Sequence, residues 1–162
     1  MSHIFCKIEG IKGESKDDKH KDWIEILSFN HSVNQPISAA SRTGGRTAGR
    51  AEFQDLVIKK VIDRATPELY LHCSNGKHIP KAQLEFCLES GKKHTFMKYE
   101  IKDIIVSSVT PTGDNTGDDV RPHENVAMSY GSISWEYTPI DEKGSPGAAL
   151  KRGWDLRTNK QL

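Results

Sequence analysis

Short runs of alternating apolar and polar residues recur along most of this chain, and alternation with period two is the mark of a half-buried strand. Ile4-Phe5-Cys6-Lys7-Ile8-Glu9 opens in this way. Trp23-Ile24-Glu25-Ile26-Leu27-Ser28-Phe29 predicts a second strand, apolar on much of both faces. Strand pattern resumes at Ala51-Glu52-Phe53 and Leu56-Val57-Ile58, and residues 82–89 carry the cleanest alternation. Ser90-Gly91 and the lysines that follow predict a turn into a strand over 95–109, and residues 151–157 supply a last short strand. Between them lie glycine-punctuated or turn-rich loops at 10–18, 110–122 and 139–147, and a Ser/Thr/Gly-rich stretch at 30–49. After residue 122 the parity of apolar positions changes: Val126, Met128 and Tyr130 share one, Ile133, Trp135 and Tyr137 the other. A one-residue bulge at Gly131 would restore a common face.

One segment breaks the pattern. Thr66-Pro67-Glu68-Leu69-Tyr70-Leu71-His72-Cys73-Ser74-Asn75-Gly76 predicts a short helix over Thr66 to Asn75. Thr66 suits the N-cap and Pro67 the first helical position, Glu68 complements the positive end of the dipole, and Asn75-Gly76 can close the helix left-handed. A helix this short is marginal alone, because isolated helices below ~12–15 residues are unstable in water. Its apolar residues fall on more than one face, so it needs cover from more than one side. Frequent strands, turn signals between them and one helix predict a mainly β, two-sheet barrel in a single domain over 1–162.

Composition narrows the classes. The 162 residues are 35% hydrophobic and 28% charged with a formal net charge of +1, so bulk charge draws the chain neither to nucleic acid nor to acidic membranes. No apolar run reaches the ~20 residues of a membrane-spanning helix, and the N-terminus lacks a signal-peptide pattern. Cys6, Cys73 and Cys87 form no CxxC, and buried reduced thiols are the expectation, which places synthesis in a reducing cytosol.

Catalytic signatures are missing: there is no GxSxG, Walker loop, HExxH or EF-hand pattern. Gly44-Gly45-Arg46-Thr47-Ala48-Gly49 does not lead into a helix and reads as a loop, not a phosphate cradle. His72 and His78 flank the helix end without a carboxylate at ligand spacing, so neither metal nor cofactor is expected. A small β-barrel enzyme using His72, His78 and Glu68 stands as a rival class. Asn30-His31-Ser32 fits a glycosylation acceptor, a chance match in a chain without a secretory signal.

Charge placement says more. No acidic residue lies between Glu25 and Glu52, while Arg42, Arg46 and Arg50 recur at intervals of four. In the 110–122 loop Asp114, Asp118 and Asp119 face Arg121 alone. Solvated loops, nucleic-acid binding by the arginines and charge complementarity between copies are the readings; the second lacks interleaved aromatics.

Asp63-Arg64-Ala65-Thr66-Pro67 followed by Cys73-Ser74-Asn75-Gly76-Lys77-His78 resembles the central signature of the Hcp family, the haemolysin-coregulated proteins of bacterial type VI secretion. Lys12-Gly13-Glu14-Ser15-Lys16-Asp17, Val106-Ser107-Ser108-Val109, Glu124-Asn125-Val126 and Gly153-Trp154-Asp155-Leu156-Arg157 agree in family order. The resemblance implies a non-enzymatic tube subunit. Hexameric rings stack inside a contractile sheath, a spike caps the tube, and the whole is expelled with small effectors that the lumen holds. Export then needs no signal peptide. The related phage tail-tube proteins share the architecture, and a phage-like tail-tube protein is the alternative reading. By position, Asn30 and its neighbour His31 match a lumen site for effectors. The loop at about 31–50, with Arg42, Arg46 and Arg50, matches one that reaches the adjacent ring. Leu69, Tyr70 and Leu71 are expected to bring the helix to a neighbouring subunit.

Overall fold

A computed structural model describes residues 2–38, 45–114 and 121–162. The first strands are β1 (Ser2–Ile8), β2 (Ile24–Ile26), β3 (Ser28–Asn30), β4 (Val33–Asn34), β5 (Ile37–Ser38), β6 (Thr47–Ala48), β7 (Glu52–Phe53) and β8 (Leu56–Val61). After the helix α1 (Thr66–Asn75) come β9 (Ile79–Ser90), β10 (Lys92–Thr112), β11 (His123–Ser129), β12 (Ser132–Tyr137), β13 (Leu150–Asp155) and β14 (Lys160–Gln161).

The 21-residue β10 organises the sheet. Its first half pairs with β9 and β12, and its second half with β11. One path therefore runs β2, β1, β9, β10, β11, β8, β3, with β12, β13 and β14 continuing from β10 on its other side. The ends of that path, β2 and β3, are joined through Leu27, whose N–H donates to the Lys59 carbonyl at 2.8 Å. The expected two leaves are present, but no unbroken ladder closes them into a barrel; the covalent chain bridges the gap.

Both long strands turn the same corner. Lys102 pairs with Ser132 and Ile105 with Ser129, so the register is unchanged across Gly131. The expected bulge at Gly131 is thus a matched bend: Asp103 adopts a φ of 53°, and the Gly131 N–H donates to the Lys102 and Asp103 carbonyls. A Cβ at Gly131 would meet the Asp103 carboxylate at 2.9 Å. Buried positions on β10 change parity at the same place, from Ile101 to Ile104 and Val106, because each strand passes from one leaf to the other. The register shift lies on β10 instead, between Val106 and Ser108.

Inward side chains of both leaves, among them Ile8, Ile24, Leu56, Ile58, Leu84, Ile101, Ile104, Met128 and Ile133, form one core. The helix spans Thr66–Asn75 as expected, and Gly76 closes it at a φ of 65° with its N–H on the His72 carbonyl. The N-terminus differs. Ala65 is the N-cap residue, without a side-chain bond, and Thr66 lies inside the helix. The Thr66 hydroxyl is claimed elsewhere: it donates to Glu124 at 2.7 Å and accepts from the Asp63 N–H at 3.0 Å and from Lys60 at 3.2 Å. The Lys60 ammonium, fully buried, also pairs with Asp63 at 2.8 Å and contacts the fully buried Glu124 carboxylate. This ion cluster beneath the first turn holds the helix on the sheet.

The 10–23 loop folds over the outer face of β1 and β9. Its limbs cross so closely that a Cβ on Gly13 would lie 2.4 Å from the Trp23 carbonyl oxygen. His20 is buried under the loop and stacks on Phe5, ring centroids 4.2 Å apart. Its ring nitrogens face Asp17 at 2.6 Å and Glu85 at 2.7 Å. A bond from Lys93, then His20, holds the Asp17 carboxyl down to about 2. All three cysteines are free thiols; Cys6 and Cys87 are buried and Cys73 is half-buried. Burial pushes the Cys6 thiol up to about 12.

Candidate assembly and lumen surfaces

The described residues of the polar stretch at 31–50 form a two-stranded ribbon and not only loop. Val33 and Asn34 pair with Phe53 and Glu52, and Ile37 and Ser38 pair with Ala48 and Thr47. Between the two short ladders Pro36, which has no N–H, accepts from the Gly49 N–H at 3.0 Å and the register slips by one. The described residues of this arm are almost all exposed. Alternating Ser, Thr and Gly hid the pairing, because the arm has no buried face to impose an apolar pattern. Arg42 lies outside the described residues, as do Asp118 and Asp119 of the acidic loop. Arg46 is exposed at the start of the returning limb. Arg50 is not a free cation: its guanidinium donates to the Leu156 carbonyl and ties the arm's base to the C-terminal segment.

Asn30 is exposed at the end of β3. His31 turns inward and is half-buried against Tyr99, Tyr130 and Trp135. The Tyr130 hydroxyl donates to the Gln54 carbonyl at 2.9 Å, so its oxygen accepts from the His31 Nε2–H at 2.6 Å. Burial lowers the His31 pKa from 6.5 and raises that of Tyr130, helped there by Asp55. A histidine kept neutral by folding contributes stability above its unfolded value, and that stability is lost as pH falls from 6.5 toward the folded value. Two-dimensional NMR of the imidazole should give His31 a midpoint below 6.5; a midpoint at or above it would refute this placement. The aromatic partners escaped sequence reasoning because they come from β10, β12 and the corner, 68 to 104 residues away.

On the helix, Leu69 is fully buried in the chain's own core and has no surface for a neighbouring subunit, contrary to expectation. Tyr70 is 39% exposed and Leu71 54% exposed. Helical geometry separates them: positions 69 and 72 face the sheet, while 70 and 71 turn away. A second exposed apolar set lies on Leu27, Phe29, Val33 and Ile37 along β2 to β5. A third joins Tyr137 and Leu150, directly opposite one another across β12 and β13. Of the rival catalytic trio, the His72 ring lies 3.9 Å from the Glu68 carboxylate, whereas His78 is engaged by another residue. His72 bonds the Glu68 carbonyl at 2.7 Å, and His78 bonds Asp103 at 2.8 Å. No helix among the described residues is long and apolar enough to cross a membrane.

This arrangement, one helix pinned by a buried ion cluster on a sharply cornered sheet, matches known folds over its whole length. A solved structure of a type VI secretion system protein superposes with a TM-score of 0.94 at 34% identity, covering 100% of both chains. Hcp1 from Salmonella typhimurium superposes with a TM-score of 0.81 at 34% identity, covering 99% of each. The class is therefore that of type VI secretion proteins. Residues 5–137 match the family model described as type VI secretion system effector, Hcp, and the chain belongs to that family. Protein hcp1 of Pseudomonas aeruginosa is 36% identical over 160 residues, 98% of this chain and 97% of that protein. The major exported protein of the same organism is 25% identical over 139 residues, 82% of this chain and 79% of that protein. The chain is thus a type VI secretion system protein of the Hcp family.

Proposed function

We propose that this chain is a subunit of the type VI inner tube, closing head-to-tail into rings of six that stack into a hollow conduit. The supporting observation is the set of separate apolar patches that a monomer leaves uncovered: Leu27 to Ile37, Tyr70 with Leu71, and Tyr137 with Leu150. Different patches on one chain suit a heterologous interface, which closes into a ring when the rotation permits. Each interface needs to bury at least ~1,000 Å² to persist. In this reading the arm at 31–50 offers its unpaired edges and Arg46 to the next ring, and Asn30 looks into the lumen and contacts effectors. The spike, sheath and small effectors are its partners, and sheath contraction carries it from the cytoplasm outward.

Light scattering and electron microscopy of purified protein should show six-membered rings; a strict monomer at high concentration would overturn the reading. Arg46→Glu is expected to reduce ring-on-ring association severalfold while leaving single rings intact, measured by sedimentation. Unchanged stacking would remove the arm's electrostatic role.

A further inference from the structure

We propose that His20, Glu85 and Cys87 form a zinc-binding site that fastens the 10–23 loop to the sheet. Strand pairing builds its floor. Glu85 and Cys87 are two apart on β9 and so share a face; Phe5 of β1 lies opposite Glu85, and Thr95 of β10 lies opposite Cys87. The loop lowers His20 onto that face. Its Nε2 lies 2.7 Å from Glu85 Oε2 and 3.9 Å from Cys87 Sγ. The ligating atoms of the three residues all lie within 4.8 Å of one another. Thr95 Oγ1 completes the ring of donors, 3.2 Å from Oε2 and 3.5 Å from Sγ.

The dimensions suit the ion. Tetrahedral zinc places neighbouring nitrogen and oxygen ligands ~3.3 Å apart and nitrogen or oxygen and sulfur ~3.5 Å apart, so seating it takes shifts of roughly 0.5 Å about Nε2 and up to about 1 Å between Oε2 and Sγ. A nitrogen, oxygen and thiolate set is one that zinc accepts readily. Asp17 supplies the outer partner that a ligating histidine usually has: its Oδ2 lies 2.6 Å from Nδ1 and fixes the ring with Nε2 toward the cluster. Phe5 and Trp23 hold the ring from its face and edge, at centroid distances of 4.2 and 4.7 Å. Lys93 is engaged by Asp17, and Lys98 approaches the other Glu85 oxygen at 3.8 Å, so neither occupies the ion's place. His20 and Cys87 are buried while Glu85 is only partly so, which leaves an entry route beside the carboxylate.

Without the ion, the His20 ring nitrogens bond Asp17 and Glu85 and Cys87 is a thiol. Binding exchanges protons for the ion: the Sγ proton leaves to solvent together with any proton on Nε2, and the lone pairs on Sγ and Nε2 coordinate the metal. No oxidant or reductant is involved. The site is separate from the apolar patches and does not depend on ring assembly.

The test titrates reduced, chelator-treated full-length protein with Co²⁺. One equivalent should produce visible d–d bands and a near-ultraviolet thiolate-to-cobalt band, release protons to solvent, and be displaced by one equivalent of Zn²⁺. Cys87→Ser should abolish the thiolate band, and Cys73→Ser should retain it. Glu85→Gln, which keeps a hydrogen-bonding side chain, should weaken Co²⁺ binding at least about tenfold. It also serves as the second variant if Cys87→Ser does not fold. No bands in the wild type with excess Co²⁺, a thiolate band that survives Cys87→Ser, or affinity unchanged in Glu85→Gln would overturn the proposal.

Discussion

Replacing Lys60 by Met is expected to cost about 3–5 kcal/mol of unfolding free energy, the usual consequence of stranding a buried charge. Lys60 and Glu124 are both fully buried, and one Glu124 oxygen already has no hydrogen-bond partner. Removing the ammonium leaves that carboxylate with the Thr66 hydroxyl alone and deprives Asp63 of its cation. Adding Glu124→Leu to Lys60→Met should recover part of the loss, because it removes the orphaned charge. Urea unfolding of the wild type, both single variants and the double variant gives the coupling directly. Additive single effects would show that the pair does not act as a unit.

Leu69→Ala is the second large effect, about 2–5 kcal/mol, since truncating a fully buried leucine loses transfer free energy and leaves a cavity. Leu69 is the apolar side chain through which α1 enters the core, alongside half-buried Cys73. Leu71→Asp, one helical step beyond the next residue, should behave oppositely. Its side chain is more than half exposed, so monomer stability should change by no more than about 0.5 kcal/mol. Ring formation should nonetheless fail. Denaturation measures the first effect and light scattering the second. If Leu71→Asp rings form normally, the helix has no part in assembly; if Leu69→Ala is neutral, the helix is not held as described.

The helix shows how far local pattern reaches. Its bounds and its left-handed close at Gly76 follow from neighbours in sequence, and both agree with expectation. Thr66 as a cap does not. A hydroxyl next to a helix start is free to cap only if nothing better is near. Here Lys60 and Glu124 are nearer in space, and Glu124 is 58 residues away in the chain. The parity change near Gly131 was likewise visible, but its cause was not. A bulge and a matched bend leave the same mark on one strand, and only the pairing with β10 tells them apart.

Period-two alternation, turn residues and one capped segment were enough to determine a mainly β chain with one short helix, because those signals depend on local backbone preference and on which face meets water. The ordered motifs were enough for the family. Tertiary structure alone decided which residues are available to act. It drew Leu69 and His31 inward, committed Arg50 to Leu156, ordered the polar arm as a ribbon, and brought His20 onto Glu85 and Cys87. Each of these outcomes depends on contacts between residues far apart in sequence, and burial is a property of the packed whole that no local pattern carries.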